Sequence, residues 1–138
     1  MNKQKQIKML HEYLKKENII DESISLHFWM NIGSSFAPEG MGKRENAMII
    51  IDEQDGQKED LIKVYLHEVG HAIHFFEDNE DWEEKEQLYD VYYKYGEEIF
   101  GYTKEFVAYY EKMPLEKEAN ELAKVLWIQV LEDWDKIF

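Results

Sequence analysis

The sequence predicts an α+β domain, predominantly helical with a short β-sheet. Apolar residues recur at the three-to-four spacing of a helix near both ends and through the middle of the chain, while two short runs, 24–30 and 46–52, carry strand signals. Three glycines, a proline and two serines lie between those two runs. At 138 residues the chain reads as a single domain, 1–138, large enough to bury a core, with no internal repeat, low-complexity tract or flexible linker.

Residues 3–17 place Ile7, Leu10 and Leu14 at helical spacing among lysines and glutamates, which predicts a short amphipathic helix with His11 as a packing residue at its boundary. In 24–30 the side chains alternate, with Ile24, Leu26, Phe28 and Met30 facing one way and His27 with Ser25 the other. Residues 33–45 read as a loop, without a glycine pattern that would cradle phosphate. The β-branched run in 46–52 is the strongest strand signal, and it allows two readings: an edge offered to an extended peptide, or an interior strand that touches no ligand.

A helix is predicted over 59–77, with Leu61, Tyr65, Val69, Ala72 and Phe76 on its apolar face and His67, Gly70, His71 and His74 on the other. Gly70 costs roughly 1 kcal/mol relative to alanine inside a helix, so its place between two histidines implies a close approach to the backbone. From 79 to 112 the chain is acidic and aromatic, with helices expected on both sides of Gly96 and Gly101, the second covering a cleft. Pro114 then introduces a last helix from Leu115 to about residue 135.

Composition narrows the function classes. With no cysteine, disulfides and thiolate metal sites are excluded, so any metal is held by nitrogen and oxygen; a reducing, cytoplasmic setting is expected. No stretch approaches the roughly 18 apolar residues of a membrane span, and no charged leader followed by an apolar run opens the chain. The net charge is −14, with 12 acids and 9 bases in 1–76 but 18 acids and 7 bases in 77–138. Such a surface repels phosphate backbones, which argues against direct nucleic-acid binding. It suits a basic protein partner or polyanion mimicry, or is simply solvated helix surface.

The chemistry-bearing stretch is His67-Glu68-Val69-Gly70-His71, an H-E-x-x-H pattern. On a helix, positions i and i+4 stand one turn apart on one face, so His67 and His71 can converge on a single zinc ion while Glu68 stays close enough to act on its water. A catalytic zinc takes three protein ligands, which leaves one to find. His74 lies about 10.5 Å along the axis from His67, too far to share an ion, and is read as cleft lining. In the last helix Glu116 falls inside the apolar sector formed by Leu115, Ala119, Leu122, Leu126 and Val130, whereas Glu118 projects to the wet side. A carboxylate on a packing face is costly unless paired or metal-bound, so Glu116 is the predicted third ligand and Asn120, one turn on, its hydrogen-bonding neighbour.

His67-Glu68-Val69-Gly70-His71, followed 45 residues later by Glu116-Lys117-Glu118-Ala119-Asn120-Glu121-Leu122-Ala123, resembles the ImmA/IrrE-type metallopeptidases and, more broadly, the minimal gluzincins. The resemblance spans roughly 45–130. It implies a small zincin-like domain with a short sheet, an active-site helix and a glutamate-bearing C-terminal helix, together with zinc-dependent cleavage of a peptide or protein substrate; relatives often act on repressors of mobile elements. Leu122 stands where the family has phenylalanine, the closing L-L-x-P is absent, and the acidic aromatic insert is long. The expected mechanism has Glu68 as base, with Tyr102, Tyr109 or Tyr110 left open as the group that stabilises the oxyanion. The rival expectation is a non-catalytic or latent binding protein, an acidic effector from a phage or mobile element on the same scaffold.

Overall fold

A computed structural model describes residues 2–40 and 46–138. Most of them are helical, around a three-stranded sheet, as an α+β domain requires. Helix α1 (Lys3–Lys16) starts at Asn2, whose side chain accepts from the Lys5 N–H at 2.8 Å, and it buries Ile7, Leu10, His11 and Leu14.

Strand β1 (Ser25–Trp29) runs parallel to β3 (Met48–Asp52), and β2 (Ser35–Ala37) pairs antiparallel to the other side of β3, giving the order β1-β3-β2. All five β3 residues are buried, which settles the choice left by the sequence: β3 is interior, and the edges belong to β1 and β2. In β1, Leu26 and Phe28 pack on the core and the His27 ring bonds the Ser25 hydroxyl at 2.9 Å, as alternation predicts. Met30 departs from that pattern: it lies beyond the strand end and is 64% exposed.

The predicted loop 33–45 also needs correction. Its residues 35–37 form β2, and 41–45 lie outside the described residues. Three local devices turn the chain into β2. Asn31 and Gly33 take positive φ values of 65° and 74°, and the Asp52 carboxylate accepts from the N–H groups of Ile32 and Gly33 at 3.1 and 2.9 Å. Asp55 accepts from both the N–H and the hydroxyl of Ser34.

After a 3-10 turn (Glu53–Gln57), α2 (Leu61–Glu77) begins at Asp60, which accepts from the Ile62 N–H at 2.9 Å. Twelve of its seventeen residues are buried. Its histidine face is therefore largely covered too; Lys63 near the start and the end carrying Phe76 and Glu77 reach solvent, contrary to the apolar assignment of Phe76. His11 is more than a boundary residue. Its Nε2–H donates to the Ile24 carbonyl at 2.9 Å and its Nδ1 accepts from the Tyr65 hydroxyl at 2.6 Å, which ties α1, the start of β1 and α2 together in the core. Burial pulls the His11 pKa below its usual value, keeping the ring neutral in this role.

Helix α3 (Asn79–Phe100) follows without a linker, because Asp78 ends α2 and caps α3 by accepting from the Asp81 N–H at 3.2 Å. It continues through Gly96, where a break was expected, since the Tyr109 ring lies where a side chain would be. The break comes at Gly101, with φ 61°, before α4 (Lys104–Glu111). Helix α5 (Pro114–Glu132) has proline in its first turn and stops three residues short of the expected end. A short α6 (Trp134–Ile137) follows Asp133, whose carboxylate accepts from the Tyr13 hydroxyl at 2.5 Å. Among the described residues no helix is long and apolar enough to cross a membrane.

Candidate metal centre

The centre is built where α5 crosses α2. A β-carbon on Gly70 would lie 2.6 Å from the Ala119 carbonyl oxygen and 3.0 Å from its Cα, so only glycine permits this approach. That contact brings Glu116, one turn before Ala119, and Asn120, immediately after it, against the histidine face of α2.

The donor atoms of His67, Glu68 and His71 all lie within 4.8 Å of one another, a group that could hold a metal ion. The two rings stand perpendicular, 4.8 Å between centroids. Glu116 meets both: its Oε2 is 2.7 Å from His67 Nε2 and its Oε1 is 3.3 Å from His71 Nε2. Asn120 Oδ1 lies 2.7 Å from His67 Nδ1. A carboxylate and an amide oxygen both accept, so His67 donates from both nitrogens in this arrangement and carries a proton on each.

The charges follow from this geometry. Burial opposes a positive His67, but the hydrogen bond to Glu116 and the neighbouring carboxylates outweigh it and push its pKa up to about 9. Burial also opposes a negative Glu116, yet the hydrogen bonds from His67 and His71 hold it well below the usual carboxylate range. Glu68, buried and without such a bond, is pushed up to about 6 by burial against the pull of His71 and His67. One carboxylate is thus fixed as an anion and its neighbour is poised to exchange a proton near neutrality.

These residues fit a divalent cation. Two imidazole Nε2 atoms and a carboxylate converge, all nitrogen and oxygen donors, and the second nitrogen of His67 is oriented by Asn120 in the way metal-bound histidines are held. His71 Nδ1 is buried with no hydrogen-bond partner, so Nε2 is the nitrogen through which that ring acts.

Other expectations change. His74 does not line the cleft: it is 4% exposed, bonds Asp81 Oδ2 at 2.7 Å and stacks edge-on against Trp82, which pins the start of α3 to α2. Glu118 keeps away from the imidazoles, and its charge is felt by Lys85 of α3. Of the three tyrosines left open, Tyr102 is 78% exposed and bonds Glu97, while Tyr109 donates to the Tyr92 carbonyl. Tyr110 is the one at the centre, donating to Glu116 Oε1 at 3.1 Å and accepting from Tyr89 at 3.1 Å.

A cavity of about 260 Å³ lies over the imidazoles, walled by Ser34, Ser35 and Phe36 of the β2 segment, Trp82 and Tyr89 of α3, and Tyr110. The β2, Trp82 and Tyr89 walls were not read from the sequence. Phe36 gave a faint signal as the one large aromatic in the loop; nothing singled out Tyr89 among nine tyrosines. Comparison with protein-family models, curated proteins and solved structures finds no match to this chain.

Proposed function

We propose that the chain is a zinc-dependent metallopeptidase, with His67, His71 and Glu116 holding the ion and Glu68 as the base. The observation that carries this reading is the meeting of Glu116 with both Nε2 atoms across 45 residues of sequence, at 2.7 and 3.3 Å. A zinc ion bound there would lower the pKa of a water towards about 7 and polarise the scissile carbonyl.

The chain's own groups supply the rest. Glu68, buried beside both imidazoles, takes a proton from the attacking water at its carboxylate and delivers it to the leaving amine nitrogen, so water is added across the C–N bond. Tyr110, whose hydroxyl bonds Glu116 Oε1 at 3.1 Å, would stabilise the charge that develops on the carbonyl oxygen, and its phenol is kept protonated by burial and by the Glu116 charge. Asn120 fixes the His67 ring. The outer side of β2 is the sheet edge beside the cavity and offers backbone groups to an extended peptide.

Metal content and turnover test the reading together. Native protein prepared with zinc is expected to hold about one equivalent; less than a tenth of an equivalent overturns it. Glu68→Gln should keep the metal and lose at least about a hundredfold in peptide cleavage, whereas His71→Ala should lose both. Full activity in Glu68→Gln refutes the base. The small volume of the cavity, about 260 Å³ with Trp82 and Tyr89 in its wall, favours a second reading, a latent enzyme, in which zinc binds and generic peptides stay intact.

A further inference from the structure

Helix α3 is an anomaly in its own domain. Of its 22 residues only Trp82 and Gly96 are buried. Such helices normally turn a polar face outwards, yet Leu88, Val91, Tyr92, Tyr95 and Ile99 are 43, 62, 38, 57 and 58% exposed. At 100° per residue these five fall within an arc of about 100°, at the spacing of a helix–helix seam. The stripe extends for about 17 Å, three helical turns, and is too contiguous to be scattered surface apolarity.

Its surroundings set the chemistry of what covers it. Residues 77–112 hold twelve acids against four bases; Glu80, Glu84 and Glu98 project along one side of the stripe or in line with its N-terminal end, while Lys85 on the other side is paired with Asp81. A second copy of the chain would set this acidic frame against itself, and an anionic membrane would be repelled in the same way. Membrane-lying helices carry lysine and arginine on the polar face, the reverse of this one.

We infer that the outer face of α3 is a docking surface for a cationic amphipathic helix of a partner protein, about three turns long, whose apolar side covers Leu88 to Ile99 and whose lysines or arginines meet the acidic frame. Burial of the stripe supplies affinity, and the charges supply orientation and speed of encounter. The stripe borders Tyr109, whose ring lies 6.3 Å from that of Tyr95, but faces away from Trp82, Glu86 and Tyr89, the α3 residues that wall the cavity, so the inference does not depend on the metal centre being a peptidase.

The probe is a synthetic 18-residue peptide with leucines on one helical face and lysines on the other, titrated into metal-stripped and zinc-loaded protein. Two control peptides have the same composition scrambled to destroy the stripe, and glutamate in place of lysine. Expected is binding of the first peptide alone, equally in both metal states, weakening as salt rises. The triple variant Val91→Ser/Tyr95→Ser/Ile99→Ser, which leaves every charge in place, should weaken it at least about tenfold. The double variant Val125→Ser/Ile128→Ser, at exposed apolar positions on α5, should leave it unchanged. Because the substituted side chains are exposed, circular dichroism should match the parent. The inference is overturned by absence of binding, equal binding of the scrambled peptide, insensitivity to the triple variant, a protein dimer dissolved by that variant, or uptake onto vesicles in preference to the peptide.

Discussion

Helices α2 and α3 are consecutive and similar in length, yet twelve residues of the first are buried and two of the second. Both carry aromatics and an internal glycine, but the first has two acids and the second eight. The rest of the difference lies in what each polar group meets. On α2, Tyr65 is answered by His11, His67 by Glu116 and Asn120, and His74 by Asp81. On α3 most polar groups meet water, and cohesion comes from aromatic edges such as Tyr93 on Phe106. A helix surrounded on every side can hold reactive groups in fixed geometry; a helix packed on one side is free to present a surface to others.

The two glycines sharpen this contrast most. Gly70→Ala drives a β-carbon into the Ala119 backbone, which cannot swing aside, and should cost about 3 kcal/mol in unfolding free energy despite alanine's better helix propensity. Gly96→Ala meets only the Tyr109 ring, which can rotate away, and should cost about 1 kcal/mol or less. Equal losses in urea unfolding would mean that the two helices are held alike. His11→Ala comes next: it leaves the Tyr65 hydroxyl and the Ile24 carbonyl buried without a partner, an expected loss of about 2 kcal/mol.

His11 also gives the domain a pH dependence. Its folded pKa lies below the usual 6.5, so the unfolded chain binds the proton more readily, and stability falls as pH drops from 6.5 towards the folded value. Glu68, raised to about 6, acts in the opposite sense across the same window in both proteins, so the check is the difference. Urea midpoints should fall more, or rise less, with falling pH for the parent than for His11→Gln, and equal slopes would assign the effect elsewhere. The smallest effect is expected on α3, where Val91→Ser should move stability by no more than about 0.5 kcal/mol.

The same contrast explains what the sequence could disclose. Helical periodicity converts directly into faces, so the convergence of His67 and His71, the inward position of Glu116 against them and the tight crossing at Gly70 were all legible. Strand β2 was not, because three residues held by Asp52 and Asp55 have too short a pattern to stand out from the surrounding turn residues. Nor was the part played by Tyr110. Tyr109 and Tyr110 are neighbours on α4, and which hydroxyl reaches Glu116 depends on how that helix rolls against α3, a tertiary fact with no local signature. His74 was misplaced for a similar reason: Asp81, its partner, lies around the turn on the next helix.

That turn has a mechanical consequence. Asp78 belongs to both helices at once, His74 grips Asp81 across it, and the Trp82 ring rests 5.6 Å from His71 and 5.5 Å from His74, so the corner has no slack. Tilting α3 there would drag an indole across the imidazoles. The opposite end is held more lightly, since Gly101 joins α3 to α4 and only Phe106 of α4 is buried.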